Sequence, residues 1–510
     1  MKAFLMYEAR DFDPHEELPP NQSDLVNDLA LYKLFESMAK GDKFLFAVAR
    51  TVILSSVRND CDTIVYRQQI LKDCLRNRAL VEQLYTLAGD VIEYEKKKVW
   101  RSFLASPGSR LSAGRQSLEI FLGVLRQIRR IADQHADGFE SAGFRRFFTM
   151  LNRELSDDYL SLVQEHLQEF KFRNGVLMSG ELGKGNKGRN YALRKMLRPE
   201  GSWVGRIFAR KPQSYTLHIH PRDDNGARFL SELRDRGVMP VANSLARSTD
   251  HIRSFFVMLQ HELAFYIGCM NLHEQLVGQG SPIGFPSPQP GARHRISFEG
   301  LYDVSLALTK EEAVVGNDLD AEGKPLVIVT GANRGGKSTF LRSVGSAQLM
   351  MQSGMFVPAR SMRASLCDGL FTHFRREEDP SMESGKLDEE LGRMSDLVPH
   401  ITPCSMLLFN ESFAATNERE GSEIAGQIVG ALLANNNTVF FVTHLYEFAH
   451  RFYRQQAAAS VFLRAERRHD GRRSFKLLAG APLDTSYGED LYFEIFGEQA
   501  TTVEEARAAR

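Results

Sequence analysis

An α-helical domain followed by an α/β domain is the fold class that this sequence of 510 residues predicts, and three observations predict it. Apolar residues recur in steps of three and four from about Asp24 to Gly280, the mark of amphipathic helices. The segment SPIGFPSPQPGARHR (Ser281 to Arg295), dense in Pro and Gly, interrupts that period. Beyond it, short apolar runs alternate with helical stretches, as expected of a sheet with buried strands.

Composition narrows the class without naming a partner. At roughly 150 residues per domain, the length allows about three domains and sizeable cores. Hydrophobic residues are 43% and charged residues 25%, which excludes a disordered or fibrous chain. Lys plus Arg and Asp plus Glu are both 64, so a nucleic-acid partner has to be met by a local patch and not by bulk charge. Five cysteines without a CxxC pair argue against a zinc site or a disulfide framework and suit a reducing compartment.

In chain order, residues 1–23 form an N-terminal segment in which MKAFLMYEARDFD is acidic by position 8, unlike a leader or a membrane anchor. No run elsewhere approaches the ~18 residues of a membrane helix, so a soluble, cytoplasmic protein with no membrane partner is expected. Residues 24–280 follow as a helical domain. Its stripes include Leu25, Leu29, Tyr32, Phe35 and Met38, then Leu118, Phe121, Leu122, Leu125, Ile128 and Ala132, then Ile252 through Met270. Within it, about 171–250 reads as an excursion. From Lys171 to Lys211 there are eleven Lys or Arg against Glu181 and Glu200, a local balance of 11 − 2 = +9. Here Lys184, Lys187, Arg189 and Lys195 are candidate contacts to a phosphate backbone, with a solvated basic loop as the alternative. SYTLHIHP next reads as a short strand-like alternation.

Residues 281–299 are expected to be a linker, 300–497 the α/β domain and 498–510 a polar tail. The buried strands of the α/β domain are LVIV (Leu326 to Val329), MLLF (Met406 to Phe409) and TVFFV (Thr438 to Val442).

The chemistry concentrates behind those strands. GANRGGKST, comprising Gly331, Ala332, Asn333, Arg334, Gly335, Gly336, Lys337, Ser338 and Thr339, fits the phosphate-loop pattern between a strand and a helix. Glycines let backbone N–H groups face a β-phosphate, Lys337 reaches the β/γ-phosphates, and the Ser338 hydroxyl ligates Mg²⁺. ATP and Mg²⁺ are the expected cofactors. The strand MLLF ends in Asn410 and Glu411, where an Asp-Glu pair is usual. Glu411 is placed to orient or deprotonate an attacking water, and Asn410 to hold a magnesium-bound water through its amide oxygen. TVFFV ends in Thr443 and His444, where a group sensing the γ-phosphate would lie. The charged run Arg375 to Ser395 reads by itself as a surface loop entering a helix, and no LSGGQ-like transporter signature occurs.

Taken together these residues resemble the DNA mismatch-repair MutS family. GANRGGKST is similar to that family's phosphate loop, departing at Ala332 and Arg334, where Pro and Met are usual. VVGNDLD (Val314 to Asp320), FVPA (Phe356 to Ala359), NESFAATNEREGSEIA (Asn410 to Ala425), THLYEFA (Thr443 to Ala449) and Ser486-Tyr487-Gly488 resemble its neighbouring elements. TIVYRQQIL and the NLHEQL helix resemble its core and lever helices. The resemblance implies a helical core and lever domain with a basic clamp-like excursion, joined to an ABC-like P-loop ATPase domain of MutS type that dimerises. It implies ATP hydrolysis that opens and closes a homodimer around duplex or branched DNA, in repair or recombination, and Asn410, without the charge of the usual Asp, makes slow turnover the expectation. Each site would be completed by the partner's Ser384-Gly385 segment, in which Gly385 and Leu387 depart from the usual hydroxyl and aromatic residues. Phe35-Glu36 and Phe139-Glu140 lack the setting of the family's N-terminal Phe-x-Glu reader, so little mismatch preference is expected. No nuclease-like Smr domain is found after the ATPase domain, which sets aside the branch that carries one. Two rivals remain: a nucleotide-dependent scaffold that grips a protein partner and no DNA, and an ATP-binding pseudo-enzyme suggested by Asn410.

Overall fold

The structure, a computed structural model, describes residues 1–99, 106–173, 175–195, 215–290, 294–376, 385–467 and 473–482. It divides into two compact units. The first comprises Met1–Ala3, Ala79–Phe139 and Phe144–Gln260, the second Phe4–Arg78, Glu140–Gly143 and His261–Arg510. This division does not coincide with the expected break at 281–299, because the early helices group with the α/β portion. Among the described residues, no helix is long and apolar enough to cross a membrane.

The chain begins with four helices of the second unit: α1 (Gln22–Asp28), α2 (Leu31–Ala39), α3 (Lys43–Leu54) and α4 (Cys61–Arg76). Side-chain caps start the longer two. Asp42 accepts from the N–H groups of Phe44 and Leu45, and Asp60 from that of Thr63. The stripe from Leu25 to Met38, read as one helix, is two. Ala30 takes a left-handed conformation (φ 52°) between them, and Tyr32 points outward, 54% exposed.

Next come α5 (Arg78–Val99), α6 (Pro107–His135), α7 (Ala142–Glu154) and α8 (Asp157–Glu169). Ser106 caps α6, with Pro107 at its first position, where a missing N–H costs nothing. The predicted α6 stripe is the buried one: Leu118, Phe121, Leu122, Leu125, Ile128 and Ala132. The basic excursion folds into an antiparallel hairpin, β1 (Met178–Leu182) with β2 (Gly188–Leu193). Residues 215–220 form no strand, contrary to the expected alternation. Tyr215 and Leu217 are 93% and 84% exposed, with no strand pairing to shelter them. Helix α9 (Asp224–Gly278) closes the helical series and buries the predicted stripe at Phe255, Phe256, Leu259, Leu263, Tyr266 and Met270.

The remainder contains β3 (Ser287–Gln289), β4 (Ile296–Leu301), α10 (Val304–Lys310), β5 (Asn317–Asp320), β6 (Leu326–Thr330), α11 (Lys337–Gln352), β7 (Ser361–Ser365) and β8 (Leu370–Phe374). Then follow α12 (Lys386–Leu397), β9 (Met406–Asn410), α13 (Glu418–Ala434), β10 (Thr438–Val442), α14 (Tyr446–Gln456), β11 (Ser460–Arg467) and β12 (Arg473–Ala479). The expected linker is therefore part of a sheet: β3, β7, β4 and β5 pair in that order. The main sheet runs β12-β11-β6-β10-β9-β8, parallel except where β12 pairs antiparallel with β11. The three predicted strands are thus the adjacent trio β6, β10 and β9. Their residues Ile328, Phe409 and Phe441 pack with Val429 of α13 and Phe448 of α14 in one core.

The second unit also holds the N-terminal segment from Phe4 onward. Glu262, wholly buried on α9, accepts from Leu5 N–H (2.6 Å) and Phe12 N–H (3.3 Å). Arg67 of α4, 1% exposed, donates through Nε to Met6 O (2.9 Å) and through Nη1 to Ser353 O (3.3 Å), just past α11. Asn59 Nδ2 donates to Gln352 O at 2.9 Å.

Candidate nucleotide site

The carboxyl ends of β6, β9 and β10 lie side by side, where parallel sheets build their binding crevices. Residues 331–336 leave β6 as a tight loop and enter α11. Gly331 (φ 109°) and Gly336 (φ 85°) hold left-handed backbone that larger residues resist. A Cβ on Gly331 would also meet the Ala465 N atom at 2.9 Å, so the loop presses against β11.

Lys337 opens α11 and is 5% exposed. Its Nζ donates to Gly331 O (2.9 Å) and Ala332 O (3.0 Å), so the ammonium is tied to its own loop. Burial brings its pKa down to about 8. The Glu411 carboxylate works in the opposite direction, and Arg473 reinforces the shift.

At the end of β9, Asn410 Oδ1 accepts the Ser338 hydroxyl proton at 2.9 Å. Glu411 follows with φ 54°, a conformation that costs a side-chain-bearing residue roughly 1–3 kcal/mol. Its Oε1 lies 3.0 Å from Nε2 of His444, past the end of β10. That hydrogen bond holds the Glu411 carboxyl below its ordinary range, against the effect of burial and with help from Lys337 and Arg375.

These groups border a cleft of about 480 Å³, within the range of small-molecule sites. Asn333, Arg334, Gly335, Gly336, Lys337, Ser338, Thr339 and Glu411 line it. Gly331 and Ala332 instead face Lys337 through their carbonyls, while Asn410 and His444 stand behind Ser338 and Glu411. The cleft is also lined by Val314, Val315 and Asn317, from the VVGNDLD stretch before β6, and by Phe475 on β12, which no motif named. Asn317 ties these together, donating to Phe475 O (3.3 Å) and accepting from Leu477 N–H (2.8 Å). Phe475 lies some 140 residues beyond the loop, in a strand without a local motif.

Oxygen donors suit Mg²⁺, and Ser338 Oγ with Asn410 Oδ1 supplies a neighbouring pair of them. Among the described residues, no group of three or more His, Cys, Asp or Glu could hold a metal ion. A cation here therefore needs phosphate and water oxygens to complete its shell.

Away from the cleft, Lys184, Lys187, Arg189 and Lys195 all stand exposed on the β1–β2 hairpin and just after it. Two already face carboxylates: Arg189 Nε is 3.5 Å from Glu181, and Lys195 Nζ is 3.4 Å from Glu169. Arg198, Arg206, Arg210 and Lys211 lie outside the described residues, as do Ser384 and Ser486-Tyr487-Gly488. Gly385 caps the start of α12.

Two family models match the chain: one described as MutS2 N-terminal domain over residues 59–279, and one described as MutS domain V over residues 327–508. Among similar curated proteins is the DNA mismatch repair protein MutS of Porphyromonas gingivalis (strain ATCC BAA-308 / W83), 34% identical over 149 residues, 28% of this chain and 17% of that protein. The protein of the same name from Clostridium botulinum (strain Okra / Type B1) is 29% identical over 166 residues, 31% of this chain and 18% of the relative. That of Clostridium tetani (strain Massachusetts / E88) is 30% identical over 154 residues, 29% and 18% respectively. The chain thus spans less than a fifth of the length of these relatives.

Proposed function

This chain belongs to the MutS family, and we propose that it is a DNA-repair-related ATPase that binds ATP with Mg²⁺ and hydrolyses it slowly as a switch on DNA. The observation that carries this reading is the convergence at three neighbouring strand ends of a glycine loop with buried Lys337, the Ser338–Asn410 pair and the Glu411–His444 pair.

In this reading Lys337 leaves its loop carbonyls for the β/γ-phosphates, and the exchange favours the bound state because a phosphate meets the buried charge better than two neutral carbonyls do. Loop N–H groups and the amino-terminal end of α11 add partial positive charge. Bound Mg²⁺ would be held by Ser338 and Asn410 and would neutralise charge between the β- and γ-phosphates. Glu411, ionised at neutral pH, accepts a proton from the attacking water as the γ-phosphoryl bond to ADP breaks, leaving ADP and phosphate. His444 steadies that carboxylate. Asn410 offers a dipole where an Asp would offer a charge, so the cation is held less firmly and turnover is slow.

DNA contact is assigned to the exposed cations of the hairpin, and dimerisation to the α/β part, with the partner's Ser384-Gly385 segment completing each site. Cytoplasmic placement follows from the same reading. The deciding experiment measures ATP hydrolysis alone and with duplex, mismatched, branched and single-stranded DNA. Stimulation by DNA supports the proposal; tight ATP binding with no hydrolysis under any condition makes the site a binding switch. A second reading, a nucleotide-dependent scaffold for a protein partner, is favoured by the pairing of Arg189 and Lys195 with carboxylates, which reduces the charge available to phosphates. Salt-insensitive or absent duplex binding would select it.

A further inference from the structure

The turn that presents Glu411 to the cleft is fixed from behind by groups that do not reach the cleft. Phe413, like Glu411, has positive φ (62°), so two of three consecutive residues are in left-handed backbone that larger side chains resist. Three contacts secure the turn. Glu411 N–H donates to Val442 O at 2.9 Å. Ser412 Oγ lies 2.8 Å from His373 Nδ1 and 2.6 Å from His373 O. Phe413 N–H donates to Glu390 Oε2 at 2.5 Å. The approach is tight on the far side as well, since a Cβ added to Gly421 would come within 2.4 Å of Phe413 O.

Glu390 stands on α12 and is 4% exposed; His373 stands on β8 and is 2% exposed. Their link is direct, with His373 Nε2 donating to Glu390 O at 3.0 Å. Burial lowers His373 to about 4, so at neutral pH the ring is uncharged with its proton on Nε2, and the single Ser412 hydroxyl proton, donated to His373 O, also lies within reach of Nδ1. Packing alone gives no reason for a carboxylate at position 390. Its helix neighbours Met394 and Leu397 fill the apolar core, and burial pushes its carboxyl up, against the Phe413 N–H and the nearby charges of Arg393 and Arg375. Its side chain instead accepts from the buried backbone N–H of Phe413, two residues after Glu411 in the strained turn.

We propose that Glu390 is a positioning residue for Glu411: it clamps the Phe413 N–H, locks the strained turn and so ties the aim of the Glu411 carboxylate to helix α12. The proposal rests on the reading of the cleft as an ATP-hydrolysing site, and makes α12 the element through which events at its amino end, beginning at Gly385, reach the carboxylate.

The test compares the full-length parent with Glu390→Ala, Glu390→Asp and Glu390→Gln for ATP affinity, kcat and amide hydrogen exchange across residues 410–414. Glu390→Gln retains an acceptor oxygen at the same reach and should stay within about threefold of the parent in all three measurements. Glu390→Ala removes the acceptor and Glu390→Asp withdraws it by one methylene. Each should lower kcat by ~10- to 100-fold, the size of effect a small misplacement of a catalytic group produces, with ATP affinity within about twofold and faster exchange at 410–414. Should Glu390→Ala fail to fold, Glu390→Asp carries the test. Parental kcat and exchange in a folded Ala or Asp variant overturn the proposal, as do a Gln variant no better than Ala or an affinity loss parallel to kcat. A parent without ATP hydrolysis refutes the ATPase reading instead, and the exchange comparison then decides the clamp by itself.

Discussion

Lys337 is 5% exposed, bonded to two carbonyls and drawn down to a pKa of about 8, whereas Lys184 and Lys187 on the β1–β2 hairpin stand in water. Both regions are candidate phosphate binders, yet the physics differs. In the cleft, one buried cation is fixed by its loop, and its contribution depends on tenths of an ångström. On the hairpin, several mobile cations share a screened, long-range attraction that depends on their number and on salt. A single substitution should therefore be decisive in the first region and barely visible in the second.

The most severe break of this contrast is Lys337→Ala. Nucleotide affinity should fall by ~10³-fold, since removing one charge from a desolvated phosphate site costs several kcal/mol. Retained affinity, read by calorimetry or fluorescent nucleotide, would refute the site. Glu411→Gln comes next: ATP should remain bound while hydrolysis drops ~10²-fold, as for loss of a general base. Parental turnover in that variant would show that Glu411 takes no proton. On the hairpin, the combined neutralisation of Lys184, Lys187, Arg189 and Lys195 should flatten the slope of log affinity for duplex DNA against log salt by about 2 to 4, at about 0.9 per phosphate contact. The lower end applies if the carboxylates facing Arg189 and Lys195 keep them occupied. An unchanged slope would remove the hairpin from the DNA surface.

The pH dependence sharpens the same comparison. Burial favours the neutral amine of Lys337 in the free protein, and a bound phosphate favours the ammonium. Below about pH 8 the ammonium is already present and nucleotide affinity should be flat. Above it, each unit of pH should weaken binding by up to ~10-fold, because the proton must be taken up on binding. The smallest expected effect is that of Asn410→Asp, which restores a carboxylate beside Ser338 and should lower the Mg²⁺ concentration for half-maximal hydrolysis severalfold. An unchanged Mg²⁺ requirement would place the cation elsewhere.

What was legible in the sequence shares one property: it is local. The loop from Gly331 to Thr339 and the runs that became β6, β9 and β10 are consecutive residues whose pattern is set by backbone geometry and burial. Asn410, Glu411 and His444 could be named because they directly follow such runs. Phe475 was hidden because its meeting with Asn317 across β12 and β5 joins residues 158 apart. The Glu390 clamp was hidden for the same reason, in a charged stretch that reads as surface. Ala30 breaks a helical stripe without any turn-forming residue, so periodicity alone ran through it. The resemblance reached the MutS family from the loop, the strand ends and two helical stretches, but did not anticipate the match of residues 59–279 to a model described as MutS2 N-terminal domain.

Helix α11 has one end at the candidate phosphate site and the other on a guanidinium. Its last carbonyls, Gln352 O and the adjacent Ser353 O, receive Asn59 and Arg67, and Arg67 also grips Met6 O and lies 4.4 Å from the centre of the Tyr7 ring. An axial slip of the helix on filling or emptying the loop would pull against these bonds and be felt at the sixth residue of the chain. The helix thus joins the loop to the N-terminal segment through Arg67, and a reporter group on that segment, remote from any nucleotide, would register such a slip.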